Sequence, residues 1–556
     1  LARIRGDSLE ERIFLRARTL VEAQQIGADA DLGAFLESPP PGTDADVLKR
    51  LRFMFEAGAW VLFESVVADL PSDLRWLYES GAVTIEQLAA LHDRLGVTAL
   101  ADLIAAVEQD RIREVLDETG ESAVEQALRQ VRQSTRRIPL GRAIALAEPF
   151  LTDLRSVTGV EWAEPVGSLR RAQDTVGDIE LIASTSQPYR AVETIARRSD
   201  IDRVLHTSSR RIYVLVSQTQ IGVRLAEPDN AGAGLLYFTG SSAHIAELRN
   251  RAARKGWQLT TDGLRDSRGT LRTAATESEL YADLGLPLIP PEIRDTDEAI
   301  VSAERGSLPS LLTRRDMRGD LHMHSDWSDG HDSMESMAST CHALGYEYIA
   351  FTDHSPSSGA SRSLSIATVK RQAEQIAAIR ERFSGMTILH GCEVDILPEG
   401  RLDFPDRILE QFDIVLASLH QRAGQEPGQL LSRYLKAMNH PLVTLITHPT
   451  NRLVAHRAGY DLDYDRLFEA AVETGTLLEI DGAPSHLDLD GALARRAVAA
   501  GATVAVNSDC HRADRLERQM QLGIMTARRG WVEARHVFNT RPIAEVRALI
   551  ARKRAS

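Results

Sequence analysis

The 556-residue chain is expected to be multidomain, with an all-α N-terminal region, an α+β middle and a C-terminal α/β unit. Three textures predict this. Residues 1 to about 135 repeat apolar positions at three- and four-residue intervals, the signature of amphipathic helices. From about 136 to 226 short strands appear, at Ile179–Ile182, Arg211–Val216 and Ile221–Leu225. After Met317 the chain runs strand, loop, helix about seven times, which implies a parallel sheet covered by helices and closing into a barrel.

Composition bounds the rest. At 61.3 kDa and 43% apolar residues the chain can fill several separate cores. Three cysteines, Cys341, Cys392 and Cys510, make no disulfide framework and point to a reducing, cytoplasmic compartment. No long uncharged apolar run suggests a membrane span, and Leu1-Ala-Arg-Ile-Arg-Gly-Asp is not a signal peptide. Because the chain begins in mid-pattern at Leu1, an earlier initial segment or a misread start is expected. The net charge of −14 counts against tight, sequence-independent DNA binding, which relies on Lys and Arg releasing counterions. A local basic patch is still compatible with it.

In chain order, Pro39-Pro40-Pro41-Gly42 breaks the first pair of helices. The strands of 136–226 give way to a mixed segment, 227–298, that ends near Ile289-Pro-Pro-Glu-Ile-Arg294. Polar residues at 299–316 read as a linker, and 317–556 as the barrel.

Asp320-Leu-His322-Met-His324-Ser-Asp-Trp-Ser-Asp329-Gly reads as a short strand followed by a loop. Residues two apart on a strand share a face, so His322 and His324 aim at one point, with Asp329 arriving from the loop. Further ligand types end apolar runs: His354 in Thr-Asp-His, Glu393 in Gly-Cys-Glu, His420 in Ser-Leu-His, His448 in Thr-His-Pro, and Asp509 and His511 in Asp-Cys-His. Mixed imidazole and carboxylate ligation suits Zn, Mn or Fe. Nine ligands exceed the need of one tetrahedral ion, so two or three divalent metals are expected, with Glu393 as a bridge. Closely spaced ions can share and acidify a water and clamp both oxygens of a phosphate ester, so phosphoester hydrolysis is the expected reaction. Arg452, four residues beyond His448, is a candidate phosphate clamp. Cys392 and Cys510 flank ligands but face away along a strand, as packing residues.

These motifs, DLHxHSxxSDG, TDH, GxE, SxH, HP and DxH, resemble those of the PHP (polymerase and histidinol phosphatase) family over residues 317–556. The resemblance implies a distorted (β/α)7 barrel with a trinuclear metal site. Upstream, Gly167-Ser168-Leu-Arg-Arg171 through Asp178-Ile-Glu180 is similar to the signature of family X DNA polymerases, as are Tyr237-Phe238-Thr-Gly240-Ser and the segment closing at Arg294. That likeness implies an N-terminal 8-kDa-like helical domain at 1–75, helix-hairpin-helix fingers at 76–135, a nucleotidyltransferase palm at 136–226 and a thumb at 227–298. It further implies that Gly167, Ser168, Arg171, Tyr237, Phe238 and Gly240 bind a deoxynucleotide. Asp178 and Glu180 would hold Mg²⁺ as catalytic carboxylates.

The polymerase half departs from that pattern. The third catalytic carboxylate falls, by gapless counting, on Gly222; Glu227 and Asp229 lie beyond the strand. Two hairpin turns, Glu79–Val83 and Leu116–Gly120, have each lost a glycine, and the second has gained two carboxylates. Lys49 is the only lysine before Lys255 and has no lyase context. The expectation is therefore a monomeric, metal-dependent DNA phosphodiesterase, a 3′→5′ exonuclease with abasic-site or 3′-phosphate processing, on an impaired polymerase scaffold. The alternatives are an active gap-filling polymerase with a built-in exonuclease, a phosphomonoesterase of the histidinol phosphatase type, and a non-enzymatic interaction protein of a repair complex.

Overall fold

The computed structural model describes residues 8–23, 32, 35–57, 83–95, 97, 103, 106, 111–117, 120–121, 123–124, 137–360, 362–422 and 424–555. The chain divides into two compact units. The first comprises residues 1–136 with two short later segments, 215–219 and 421–424. Its described parts before residue 125 are mostly helical, and helices Ser8–Ala23 and Ala45–Ala57 share a core of Ala17, Val47 and Leu51 with Leu36. The boundary expected at 75 lies outside the described residues, as does the first hairpin turn apart from Val83. In the second turn Glu118 and Thr119 lie outside them, while Asp117 accepts the Gly120 amide at 2.7 Å. That amide is thereby satisfied within the turn by a carboxylate.

The second unit holds everything else. Its first sheet has five strands: β1 (Val160–Pro165), β2 (Ile179–Thr185), β3 (Arg203–Thr207), β4 (Arg211–Val216) and β5 (Thr219–Ala226). They lie in the order β1-β2-β5-β4-β3, with β2 parallel to β5. The three strands read from sequence are all present; β1 and β3, with exposed or half-exposed faces and little alternation, were not read. Next come helices Ala231–Thr239 and Ser242–Arg254, a small antiparallel sheet, and helix Glu277–Asp283, which share one apolar core.

A buried polar weld joins these two layers. Glu277 accepts both Arg170 guanidinium nitrogens at 2.8 and 2.7 Å and Arg294 Nη1 at 2.6 Å. Arg294 is fully buried. Burial pushes the Glu277 carboxyl up, but the two arginines outweigh it and hold it at about 2.

Segment 299–316, expected as a polar linker, is folded. Helix Glu298–Glu304 buries Ala299, Ile300 and Ala303; Leu311 joins the core of the preceding layer and Leu312 that of the barrel. The Leu312 amide donates to Val532 O at 2.9 Å, which pins the connection to the barrel wall. Charged composition misled here, because a few apolar residues suffice to anchor a short segment.

The barrel has seven parallel strands in sequential order: β6 (Gly319–Asp320), β7 (Tyr348–Phe351), β8 (Thr387–Asp395), β9 (Ile414–Ser418), β10 (Val443–Ile446), β11 (Leu477–Asp481) and β12 (Val504–Asn507). Alternation divides each strand between two cores. In β9, Ile414 and Leu416 point into the barrel, where the C-terminal helix Ile543–Ala555 adds Val546 and Ile550. Val415 and Ala417 face the outer helices. The ends of the sheet are joined by a side chain: Asn539 Nδ2 donates to Gly319 O at 2.9 Å and Val506 O at 2.7 Å, and Asn539 Oδ1 accepts from Val506 N at 3.1 Å. Leu321 N also donates to Asn507 Oδ1 at 3.1 Å across the same seam.

Replacing Glu277 by Ala leaves two arginines buried without their carboxylate, which costs roughly 3–5 kcal/mol. Because its folded carboxyl sits at about 2 rather than the ordinary 4.5, the stabilisation it gives is present above that ordinary value and disappears as pH falls toward 2. Urea unfolding of Glu277→Ala and its parent between pH 7 and pH 3 checks both the size and the sign.

Candidate metal centre and the palm site

The nine ligand candidates meet at the C-terminal ends of the barrel strands, the face where barrel chemistry sits. His322 and His324 follow β6 and are fully buried, with their Nε2 atoms 3.1 Å apart. Three overlapping groups form, each with ligand atoms within 4.8 Å of one another: His324, Asp329, His354 and His511; His322, His324 and Asp509; and His354, Glu393 and His420. His448 joins the third through Nε2, 3.0 Å from Glu393 Oε1.

Glu393 stands at the centre. Its Oε2 faces His354 Nδ1 at 2.9 Å, His322 Nε2 at 3.5 Å and His324 Nε2 at 3.6 Å. Its Oε1 faces His448 at 3.0 Å and His420 at 3.6 Å. Glu393 Oε2, Asp329 Oδ1 and His354 Nδ1 are buried with no well-directed hydrogen bond, the 2.9 Å approach of Glu393 Oε2 to His354 Nδ1 included, which costs about 1–3 kcal/mol each unless something else binds them. A donor set of six imidazoles and three carboxylates with orphaned atoms turned inward fits two or three divalent cations of the Zn, Mn or Fe kind. Burial alone would raise the carboxyls of Asp329 and Glu393, but the surrounding histidines hold both well below the ordinary carboxylate range.

Residues behind the ligands orient them, and sequence reasoning missed these. His322 Nδ1 meets Glu479 Oε1 at 2.9 Å; a carboxylate only accepts, so Nδ1 carries the proton and Nε2 is left for the cluster. Glu479 Oε2 also accepts the His448 amide at 2.9 Å. Asp395 does the same for His420 Nδ1 at 3.1 Å. Asp353 gathers Ser325 Oγ at 2.7 Å, Ser328 Oγ at 2.6 Å and Gln372 Nε2 at 2.7 Å, which shapes the loop carrying Asp329. A signal existed: Leu-Leu-Glu479-Ile-Asp is an acidic residue inside an apolar run, the same pattern that marked the ligands. His448 and Asp509 both adopt left-handed backbone, with φ of 25° and 47°, a conformation disfavoured for side-chain-bearing residues and kept here by these contacts.

Arg452, the candidate phosphate clamp, is engaged by the protein itself. Its Nε donates to His486 O at 2.8 Å, Nη2 to Leu487 O at 2.5 Å and Nη1 to Asp174 Oδ2 at 2.7 Å. Protein acceptors engage every nitrogen of the guanidinium, which holds it as a strut in this structure. Cys392 and Cys510 are buried, and burial pushes both thiols up, in keeping with packing.

In the palm, β2 pairs with β5 so that Glu180 lies directly beside Gly222. Arg224, two residues on, donates from Nε to Glu180 Oε2 at 2.9 Å and from Nη2 to Tyr213 OH at 2.7 Å. Its guanidinium lies 4.3 Å over the Phe238 ring. Burial pushes the Glu180 carboxyl up while Arg224 pulls the other way, and Asp178 is exposed. The groups of three or more candidate ligands found among the described residues all lie in the barrel, and none includes Asp178 or Glu180. Arg171, expected to meet a triphosphate, pairs with Asp295 at 3.0 Å and donates to Thr239 O. Gly167 opens the short helix Gly167–Arg170, which carries Ser168, and Gly240 has a φ of 69°. Tyr237 OH accepts from Arg249.

The fold and site together define a polymerase-type palm and thumb joined to a metal-binding phosphoesterase barrel. A DNA polymerase beta thumb model matches residues 234–295, and a PHP domain model matches 320–481. The chain is 34% identical over 495 residues to the DNA polymerase/3′-5′ exonuclease PolX of Bacillus subtilis, covering 88% of this chain and 86% of that one. It therefore belongs to the PolX family, in which a family X DNA polymerase is joined to a PHP domain. It is also 34% identical over 206 residues to a probable phosphatase of Caldanaerobacter subterraneus subsp. tengcongensis, covering 34% of this chain and 75% of that one. A solved polymerase beta of Leishmania infantum aligns with 40% of this chain and 99% of its own, at 18% identity and a TM-score of 0.26. PHP domains are metal-dependent, and family X polymerases act on DNA. No described helix is long and apolar enough to cross a membrane.

Two outcomes follow from this geometry. Glu479→Ala weakens cation binding by roughly 10–100-fold, since His322 loses the acceptor that fixes its tautomer; competition with a chromogenic chelator measures it. Gly222→Asp destabilises the palm by about 1–3 kcal/mol, because a Cβ there would stand 2.4 Å from Glu180 Oε1 and 2.7 Å from Tyr213 Cε1. Urea unfolding reads that cost.

Proposed function

We propose that the barrel is a metal-dependent phosphodiesterase acting on DNA, a 3′→5′ exonuclease that also processes 3′-phosphates or abasic ends, and that the palm no longer polymerises. One observation carries the first half: eight ligand side chains gather around Glu393, whose two oxygens face separate sets of imidazoles. His322, His324, Asp329, His354, Glu393, His420, His448, Asp509 and His511 would hold the cations. When bound, two or three divalent cations supply Lewis acidity at the scissile phosphate and lower the pKa of the attacking water.

The chain's own residues do the rest. Asp329, Glu393 and Asp509 bring the negative charge that holds cations together, and the buried imidazoles aim their ring nitrogens at the same point. Glu479 and Asp395 lock two of those rings in one tautomer. The name of the Bacillus subtilis relative joins polymerase and 3′-5′ exonuclease, which supports DNA as the substrate.

The second half rests on Gly222 and Arg224. Nucleotidyl transfer with two Mg²⁺ needs a third carboxylate where Gly222 offers no side chain, and the neighbouring Glu180 is already paired with Arg224. Losing one such preorganised charge costs on the order of 10²–10³ in rate. Gapped DNA, 3′ ends and abasic sites remain the proposed partners, with cytoplasmic location and a monomeric state.

The test is one purified sample with Mn²⁺ on three substrates. Expected are release of mononucleotides from a 3′ end, no extension across a one-nucleotide gap, and little phosphate from sugar or amino-alcohol phosphates. A sample inert on DNA but active on the monoesters would replace the exonuclease reading with the phosphatase one. Gap filling that Asp178→Ala abolishes would show that the palm tolerates Gly222.

A further inference from the structure

We propose that Asp174, a palm residue, is a positioning residue for the barrel's metal centre, acting through Arg452 on the strap that carries His448. The strap, residues 447–457, leaves the end of β10 and holds three non-glycine residues in left-handed backbone: His448 at φ 25°, Asn451 at 50° and Ala455 at 67°. Each such residue costs on the order of 1–3 kcal/mol, so outside contacts must impose the shape.

Those contacts form a circuit. Thr450 donates its amide and hydroxyl to Asp488 Oδ2 at 3.0 and 2.9 Å. Asn451 Nδ2 donates to Leu419 O at 3.2 Å and to Tyr460 OH at 2.7 Å. Arg452 donates to the carbonyls of His486 and Leu487, and His486 Nδ1 returns a bond to Arg452 O at 2.9 Å. The His486 ring then stacks on His448, with centroids 5.3 Å apart and 22° between planes. Arg452 is thus linked to His448 both along the chain and through the His486 ring.

Asp174 brings the palm into this circuit. It lies in the loop between Arg171 and Asp178, and its Oδ2 accepts from Arg452 Nη1 at 2.7 Å. Its Oδ1 accepts from Arg529 Nη1 at 3.0 Å, so one carboxylate serves two guanidinium groups. Arg529 Nη2 reaches Asp295 at 3.2 Å, and Asp295 in turn holds Arg171. A chain of ion pairs therefore runs from the palm's phosphate-binding signature to the strap of a candidate metal ligand. Without Asp174 the nearest carboxylate to Arg452 is Asp490, 3.6 Å from Nη1, and re-pairing there pulls the guanidinium off its present line.

The inference rests on the reading of His448 as a cation-holding residue. The cation count of the parent chain tests that reading, and the difference between parent and variant tests the bridge. In Asp174→Ala, Mn²⁺ titrated into the full-length, metal-free chain should bind its weakest site about 10–100-fold less tightly, the size found when a residue behind a ligand is lost. Hydrogen exchange of 447–457 should speed up in the metal-free variant while that of 387–395 does not change. Hydrolysis of a single-stranded oligonucleotide should lose kcat with KM held. Asp174→Asn keeps an acceptor for Arg452 and should fall between, and it carries the same test where the alanine variant does not fold. Unaltered Mn²⁺ affinity and exchange in both variants would overturn the proposal, even with a lowered melting temperature, because that is what a purely structural bridge gives. A change confined to KM would overturn it too, and would place Asp174 on the DNA-binding surface.

Discussion

Glu393 is the constraint around which the barrel mouth is arranged. A carboxylate buried at 1% exposure is tolerated only where opposite charge or directed donors surround it, and both of its oxygens face imidazoles. One oxygen gathers His322, His324 and His354, and the other His420 and His448. Because the seven strands are parallel and in sequence order, residues distant in the chain deliver their side chains to this one level. Glu479, Asp395 and Asp353 then fix rings and loops that would otherwise be free to rotate.

The palm shows the opposite treatment of a carboxylate. Glu180 lies on a strand beside Gly222, and the space that a third acid would occupy is taken up by Glu180 itself and the Tyr213 ring. Arg224 pairs with Glu180 at 2.9 Å. The weld of Glu277 with Arg170 and Arg294 keeps palm and thumb together. Arg528 reaching Glu292 at 2.6 Å and Arg495 reaching Glu298 at 2.8 Å tie the thumb to the barrel.

Much of this was legible in the sequence where chemistry and periodicity coincide. His322 and His324 share a strand face, and ligand types at the ends of apolar runs marked His354, Glu393, His420, His448, Asp509 and His511, all of which the fold brings together. Strands with a clear alternation, such as Arg211–Val216, were equally plain. What stayed hidden depends on long-range placement. Arg452 reads as a candidate phosphate clamp four residues beyond a ligand, and only the fold shows Asp174 and two carbonyls around it. Segment 299–316 looked like a tether because its anchors, Leu311 and Leu312, are few. Glu479 carried the right pattern but resembled an ordinary strand residue, since a residue that orients a ligand has no spacing of its own.

The central claim is that the barrel mouth cages several cations around Glu393. Element-specific anomalous diffraction from crystals of the purified, metal-loaded chain tests it most directly. Two or three anomalous peaks should lie between the rings of His322, His324, His354, His420, His448 and His511, with Glu393 shared between peaks. Peaks absent from that cleft, or one ion bound away from Glu393, would contradict the account.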